Sequence, residues 1–328
     1  MLNKKIKVVV VGTGGWGRQH ARVFSQRPDV DFRAVLGRNR ERAQARAADY
    51  GVRAYTDLAE MLQTEQPDLV SLCLPNEGHF EPTLEVINAG FPLLVEKPLV
   101  FDPAQAAVLL REAEARSLFF AINFNHRYAK PALLAKEAIE GGRLGEIVFT
   151  TWRFGGEGGG GHPHANLIET QCHGFDLLEH LCGPIASVMA EMTNKTGKGY
   201  TTLALSLRFV SGAVGSFLGT YDSSYAYPGT QRVEINGTLG RVVMEDTVRR
   251  FEFQAAGSET GEQWQAGYFN DRDREFGRTF DRYLDALLAA FRAGQPPPVS
   301  AEAGHRALAL AVAAIRSFET GQRVDVVT

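Results

Sequence analysis

The sequence predicts an α/β N-terminal domain on a doubly wound parallel sheet, then an α+β C-terminal domain on a large, mostly antiparallel sheet. Three observations carry that reading. Short apolar runs alternate with helix-forming stretches up to residue 123, and strand-like runs separated by tight-turn dipeptides dominate after it. The length of 328 residues suits two domains of about 150 each. The expected division is 1–123 and 124–328.

Ile6 to Val11 is a β-branched run of the kind a strand covered on both faces requires. Similar runs follow at Phe32 to Leu36, Leu69 to Leu74, Leu93 to Val95 and Leu118 to Ile122. Between them Arg18 to Gln26, Glu41 to Tyr50, Phe80 to Ala89 and Pro103 to Arg116 read as helices. Asp102-Pro103 supplies a cap and a first-turn proline, while Gly51 and Gly90 fall where helices should stop. This alternation makes βαβ units. After a helix over Pro131 to Ile139, strands are expected at Glu146 to Arg153, Leu203 to Val210, Ala213 to Tyr221, Gln231 to Ile235 and Arg241 to Met244. Ser211-Gly212, Asn236-Gly237 and Leu239-Gly240 punctuate them as hairpin turns do. Helices at Arg274 to Phe291 and Ala301 to Phe318 close the chain. Gly155 to Gly161 is too glycine-rich for a regular element and reads as a mobile loop, either a plain connector or the border of a site.

Composition excludes several classes. Lys and Arg number 35 against 38 Asp and Glu, a formal charge of -3, so no basic excess points to nucleic acid or an anionic membrane. Three scattered cysteines make no disulfide framework and suit a reducing compartment. The N-terminal apolar run is short and leads into a glycine turn instead of a cleavage site, and no run is long enough to span a bilayer. The expectation is a soluble, cytoplasmic protein.

Gly12-Thr13-Gly14-Gly15-Trp16-Gly17 follows the first strand and opens the first helix, the context in which Gly-x-Gly-x-x-Gly binds a dinucleotide. The first glycine permits the turn, the second lets backbone N–H groups approach a pyrophosphate, and the third lets helix and strand pack closely. The second strand ends Val35-Leu36-Gly37-Arg38, with Arg42 one helical turn on. Where an NAD-preferring site places an acid on the ribose, Gly37 stands, and Arg38 and Arg42 can face a 2′-phosphate. NADP is therefore favoured over NAD.

Val95-Glu96-Lys97-Pro98 ends a β run, which brings Lys97 to the carboxyl edge of the sheet, where ligands bind in open α/β folds. With Leu74-Pro75-Asn76, His79, Asn123-Phe124-Asn125-His126-Arg127-Tyr128 and Glu169-Thr170-Gln171-Cys172-His173-Gly174-Phe175-Asp176, the chain resembles the glucose–fructose oxidoreductase/inositol dehydrogenase/MocA family. The ordered set covers most of the chain. The resemblance implies oxidation of a secondary alcohol of a sugar or cyclitol, or the reverse reduction, with NAD or NADP. It implies that Lys97 and His173 are catalytic, and that Glu169, Asp176 and Arg127 bind or orient substrate. It also places Leu74, Pro75, Asn76, His79, Glu96, Lys97 and Asn123 on the cofactor, and implies a homodimer or homotetramer through the outer face of the second sheet. A small polyhydroxylated substrate is the expected partner.

The residue types suit that chemistry. A secondary alcohol surrenders hydride only as its hydroxyl proton leaves, and histidine is a base near neutral pKa. A lysine ammonium donating to the same oxygen stabilises the developing alkoxide. Two positions depart from the family pattern, Glu169 for its usual Asp and Gln171 for its usual Gly, which bears on substrate identity more than on reaction type. Asp176, three residues after His173, shares its face if a helix begins there, to orient the histidine or to cap the turn. His162, His164, Cys172, His173 and Cys182 match no regular ligand spacing, so no metal is expected. Two other readings stay open: a glycosidase of the same fold that holds NAD tightly, and a non-catalytic sensor or partner subunit.

Overall fold

A computed structural model describes residues 4–159, 161–269 and 272–326, of which 272 and 273 are described by their backbone alone. Gly160, part of the glycine-rich segment, and the first three residues lie outside the described residues. The chain forms two compact units, one of residues up to 124 with 280–305, the other of 125–279 with the residues from 306 on. The sequence division assigned 280–305 to the second domain.

The first unit is a six-stranded parallel sheet in the order β3-β2-β1-β4-β5-β6. Its strands are β1 (Ile6–Val11), β2 (Val30–Leu36), β3 (Arg53–Tyr55), β4 (Leu69–Leu72), β5 (Leu93–Glu96) and β6 (Phe120–Asn123). The connecting helices are α1 (Gly15–Gln26), α2 (Arg40–Tyr50), α3 (Leu58–Glu65), α4 (Phe80–Asn88) and α5 (Pro103–Ala115). Strands β4, β5 and β6 are buried at every residue, which is why they read as largely apolar runs, broken only by Ser71, Glu96 and Asn123 at or near their carboxyl ends. Asn39, Asp57 and Asp102 cap α2, α3 and α5 through their side chains, and Gly51 ends α2 at φ 65°. The strand order reverses between β1 and β4, and ligands bind outside the carboxyl ends at such a switch point.

Residues 280–305 cover the exposed edge of this sheet. Ser300 bridges Ala121, the Ile122 N–H donates to the Val299 carbonyl at 3.1 Å, and the buried Tyr283 hydroxyl donates to the Ile122 carbonyl at 2.6 Å. An edge strand carries unpaired backbone groups that something must satisfy. That edge demand is the physical reason the segment belongs with the first unit.

The second unit holds a nine-stranded sheet, β14-β13-β12-β11-β7-β10-β9-β8-β15, antiparallel except for the β7/β10 pair. The strands are β7 (Ile147–Gly155), β8 (Ile185–Thr193), β9 (Thr202–Phe209), β10 (Val214–Thr220), β11 (Gln231–Gly237), β12 (Gly240–Glu245), β13 (Arg250–Ala255), β14 (Glu262–Gln265) and β15 (Val324–Asp325). Helices α6 (Lys130–Glu140) and α7 (Cys172–Cys182) belong to this unit, while α8 (Arg272–Arg292) and α9 (Ala301–Thr320) run through the division between units. None of the described helices is long and apolar enough to cross a membrane.

Alternation decides which face is covered. Trp152 of β7 and Phe217 of β10 are buried, stack 5.7 Å apart, and Phe175 of α7 stacks on Phe217 at 4.7 Å. A Cβ at Gly174 would lie 2.5 Å from the Trp152 ring, so α7 presses on the sheet at the residue next to His173. The glycine-rich segment is more regular than expected. Gly155 ends β7, Glu157 bridges Asp222, and the Gly156 N–H donates to the Thr220 carbonyl at 3.0 Å. Its glycines serve contact: a Cβ at Gly158 would meet the Tyr221 ring at 2.7 Å, and one at Gly156 would overlap the Tyr225 ring.

Candidate active site

The turn between β1 and α1 contains two kinds of glycine. A Cβ at Gly12, which has φ 126°, would overlap the Cys73 carbonyl, and one at Gly17 would overlap the Gly12 carbonyl. The protein's own packing therefore dictates both. Gly14 and Gly15 are different: a Cβ at either meets nothing within 4 Å. Gly14 is the N-cap of α1 and, having no side chain, offers no cap to the first-turn N–H groups. Open space beside an uncapped helix start is a cradle that fits a pyrophosphate. Trp16 is 44% exposed and stacks on Phe280 at 5.6 Å.

Gly37 is glycine for a local reason. A Cβ there would lie 2.6 Å from Thr13 Cγ2 and 3.1 Å from Thr13 Oγ1, so an acid at this position would collide with the Thr13 side chain. Arg38 and Arg42 follow it, both exposed, and no hydrogen bond or ion pair ties either guanidinium to another described residue.

Lys97 sits directly after β5, half-buried, and its peptide bond to Pro98 is cis. Leu74, Pro75 and Asn76 follow β4 on the same carboxyl edge, Pro75 exposed and the other two half-buried. Three residues expected on the cofactor, His79, Glu96 and Asn123, are buried. His79 is buried, with Nε2 3.0 Å from the Leu74 carbonyl, and burial pulls its pKa below the ordinary value despite that bond. This contact braces the Leu74-Pro75-Asn76 turn from behind. Glu96 and Asn123 are also buried, and the Asn123 Nδ2–H donates to Glu96 Oε1 at 2.6 Å. Asn123 Oδ1 is left buried without a hydrogen-bond partner among the described residues.

The group that sequence reading missed is His20, fully buried on α1 three residues after Gly17. Its Nε2 lies 3.0 Å from Glu96 Oε1 and its Nδ1 2.8 Å from Ser71 Oγ. Burial opposes a charge on His20, but Cys73 and then the Glu96 carboxylate outweigh it, and the imidazole is pushed up to about 10. Burial likewise works against Glu96, but the His20 hydrogen bond and charge, with Lys97, hold its carboxyl below the usual range. Both ring nitrogens thus donate, one to Glu96 and one to Ser71. The available signal was a histidine on the sheet-facing side of a glycine-led helix.

In the second unit Arg127 and Asp176 form a bidentate pair, Nε–H to Oδ2 at 2.8 Å and a terminal N–H to Oδ1 at 2.6 Å. Asp176 is the fifth residue of α7, so it caps no helix start, and its carboxylate is engaged by Arg127. Burial nevertheless raises its pKa above the ordinary value. His173, the second residue of α7, is 7% exposed and stacks face to face on His126, with centroids 3.8 Å apart and planes 7° apart. Glu169 lies half-buried in a π-helical turn, Asn166–Thr170, that leads into α7. Beside it the Tyr221 and Thr170 hydroxyls are 2.6 Å apart. Gln171 is buried and structural: its Oε1 accepts from Trp152 Nε1–H at 2.8 Å, and its Nε2–H donates to Asn166 Oδ1 at 3.0 Å. A Cβ at Gly219 would lie 2.5 Å from the Gln171 side chain, so the glutamine fills room that Gly219 leaves.

Fold and turn together define a dinucleotide-binding protein of the Rossmann type. A family model described as an oxidoreductase family with an NAD-binding Rossmann fold matches residues 6–124, and one for the family's C-terminal alpha/beta domain matches 136–326. The chain belongs to the glucose–fructose oxidoreductase/inositol dehydrogenase/MocA family of oxidoreductases. It is 34% identical to the D-glucoside 3-dehydrogenase of Escherichia coli K12 over 155 residues, 47% of this chain and 44% of that protein. It is 27% identical to the myo-inositol 2-dehydrogenase of Thermotoga maritima over 97% of this chain and 98% of the relative. Among solved structures, levoglucosan dehydrogenase in complex with NADH and levoglucosan superposes with a TM-score of 0.89 at 19% identity, covering 99% of this chain and 100% of that one. The WlbA dehydrogenase of Bordetella pertussis, in complex with NADH and UDP-GlcNAcA, gives 0.84 at 22% identity, over 100% and 99%. These two likenesses bear on the fold.

The His20 charge has a pH signature. Its folded value lies above the ordinary 6.5, so the stability it contributes is complete below about pH 6.5 and is lost as pH rises through about 10. His20→Gln is expected to cost about 3 kcal/mol at neutral pH. In urea titrations the wild type should lose more stability than this variant between pH 7 and about 10. Equal losses would mean that His20 is neutral in the folded chain.

Proposed function

We propose that this protein interconverts a secondary alcohol and a ketone, or a lactol and a lactone, on a sugar, glycoside or cyclitol, with NADP favoured over NAD. The observation that carries the reading is the open cradle at Gly14 and Gly15 on the same sheet edge as Lys97. The relatives add weight, since the two dehydrogenases above are named for a glucoside and an inositol. Gly12 to Gly17 would hold the pyrophosphate, and Arg38 and Arg42 a 2′-phosphate beside Gly37. When bound, the nicotinamide takes up or returns the hydride.

The chain's own residues handle the proton. His173 takes the hydroxyl proton of the alcohol as the carbon loses hydride, and returns it in the reduction. Lys97 Nζ–H donates to the same oxygen, stabilising negative charge on it in one direction and polarising the carbonyl in the other. Arg127 and Asp176 fix each other and leave the flank of α7 rigid, and Glu169 in its π-helical turn accepts from a substrate hydroxyl.

Lys97→Met and His173→Ala are each expected to lower turnover of a responsive polyol by about 10²–10⁴-fold with dinucleotide affinity largely kept. Loss of dinucleotide binding in both would count against the assignment. Fluorescence titration should give NADPH about tenfold tighter than NADH, with the difference removed in Arg38→Ala. Tighter NADH binding by the wild type would overturn the NADP preference and leave the proton roles standing.

We also propose self-association through the outer face of the nine-stranded sheet, where Phe149, Val214 and Leu218 are 39%, 52% and 41% exposed. Light scattering is expected to show a dimer or tetramer for the wild type and a monomer for Leu218→Glu. A monomeric wild type would end that proposal.

A further inference from the structure

The pair His20–Glu96 has no part in the proton chemistry above, yet the fold buries two charges to make it. Exchange of such a pair for apolar side chains is often neutral or stabilising, so stability alone is a weak reason for it. Its placement supplies a better one. Glu96 is the last residue of β5, Asn123 the last of β6, Ser71 lies next to last in β4, and His20 faces them from α1. Glu96 Oε1 accepts from His20 and Asn123, while Oε2 is the acceptor, at 3.3 Å, for the backbone N–H of Lys97. One carboxylate therefore joins the helix that starts at the glycine turn to the main chain of Lys97.

We infer that Glu96 is the positioning residue for Lys97, with His20 acting through Glu96 to keep it in place. This rests on the reading of Lys97 given above. Among the described residues, His20 from α1, His79 before α4 and Lys97 act on the carboxylate, and Cys73 after β4 acts on His20. Ser71 and Asn123 beside them are neutral, and Phe24 and Phe280 stand edge-on to the His20 ring at 6.3 and 5.6 Å. Glu96 and Lys97 attract each other, so the carboxylate sets both the place of the Lys97 main chain and the field at its amine.

The test reads Lys97 directly. Trace acetic anhydride is applied to the full chain across a range of pH, and acetylation of Lys97 is followed by mass spectrometry. In Glu96→Gln the pH midpoint of Lys97 labelling is expected to fall by about half a unit or more, because a negative charge beside the ammonium is gone. The double variant with His20→Gln should reproduce Glu96→Gln, since His20 acts only through the carboxylate. An unmoved midpoint in Glu96→Gln, or effects of the two substitutions that add, would overturn the proposal. Should Glu96→Gln not fold, Glu96→Asp takes its place. It keeps the charge but draws it back by one methylene, a smaller fall is expected, and an unchanged midpoint overturns the proposal. The labelling needs neither substrate nor dinucleotide, so its outcome is separate from the functional reading, which fails if Lys97→Met turns over polyols like the wild type.

Discussion

The carboxyl edge of the parallel sheet depends on one buried carboxylate. Glu96 sits where β5 ends, and three separate elements are tied to it: α1 through His20, β6 through Asn123, and the chain that continues into Lys97. A carboxylate so placed costs several kcal/mol of desolvation unless charge and hydrogen bonds return it. His20 supplies the charge, and Ser71 supplies the second partner that an imidazolium needs. Removing any member leaves a buried donor or acceptor unmet, so the four residues act as a unit.

That unit lies directly under the glycine turn, and the turn is itself constrained from two sides. Gly12 must pass the Cys73 carbonyl, and Gly37 must clear Thr13. The second contact couples the glycine turn to the end of β2, the two places proposed above for the pyrophosphate and the 2′-phosphate. With the Thr13 side chain where it stands, glycine is what the end of β2 holds without displacing it. Arg38 and Arg42, which follow, are exposed and carry charge on that side of the sheet edge.

Much of this was legible in the sequence, for a physical reason that also sets the limit. Strands buried on both faces are largely apolar, so β1, β4, β5 and β6 stand out as runs, and the structure moves their ends by no more than two residues. Short exposed elements carry no such imprint. Arg53–Tyr55 and Glu262–Gln265 form strands only because a neighbouring strand offers its edge. The glycine motif was legible because backbone geometry demands it locally. His20 was not, since its partners Ser71 and Glu96 lie 51 and 76 residues away and meet it only when three elements converge. The same holds for His126, whose stacking on His173 comes from a turn and a helix far apart in sequence.

The two departures from the family pattern before His173 carry different weight once their surroundings are known. Gln171 is matched by its environment: Trp152 donates to it, Asn166 accepts from it, and Gly219 makes room for it. A buried side chain with those contacts exchanges with the core, so its difference from glycine is compensated within the protein and says little about what the protein binds. Glu169 is only half-buried and stands in the π-helical turn that opens α7, next to the Thr170–Tyr221 hydroxyl pair. An extra methylene at a packed site is absorbed by its neighbours, whereas at a half-open site it moves a carboxylate toward solvent by about one bond length. On the substrate role proposed above for Glu169, a change of substrate falls on it and its hydroxyl neighbours, while Gln171 holds α7 against the sheet beside His173.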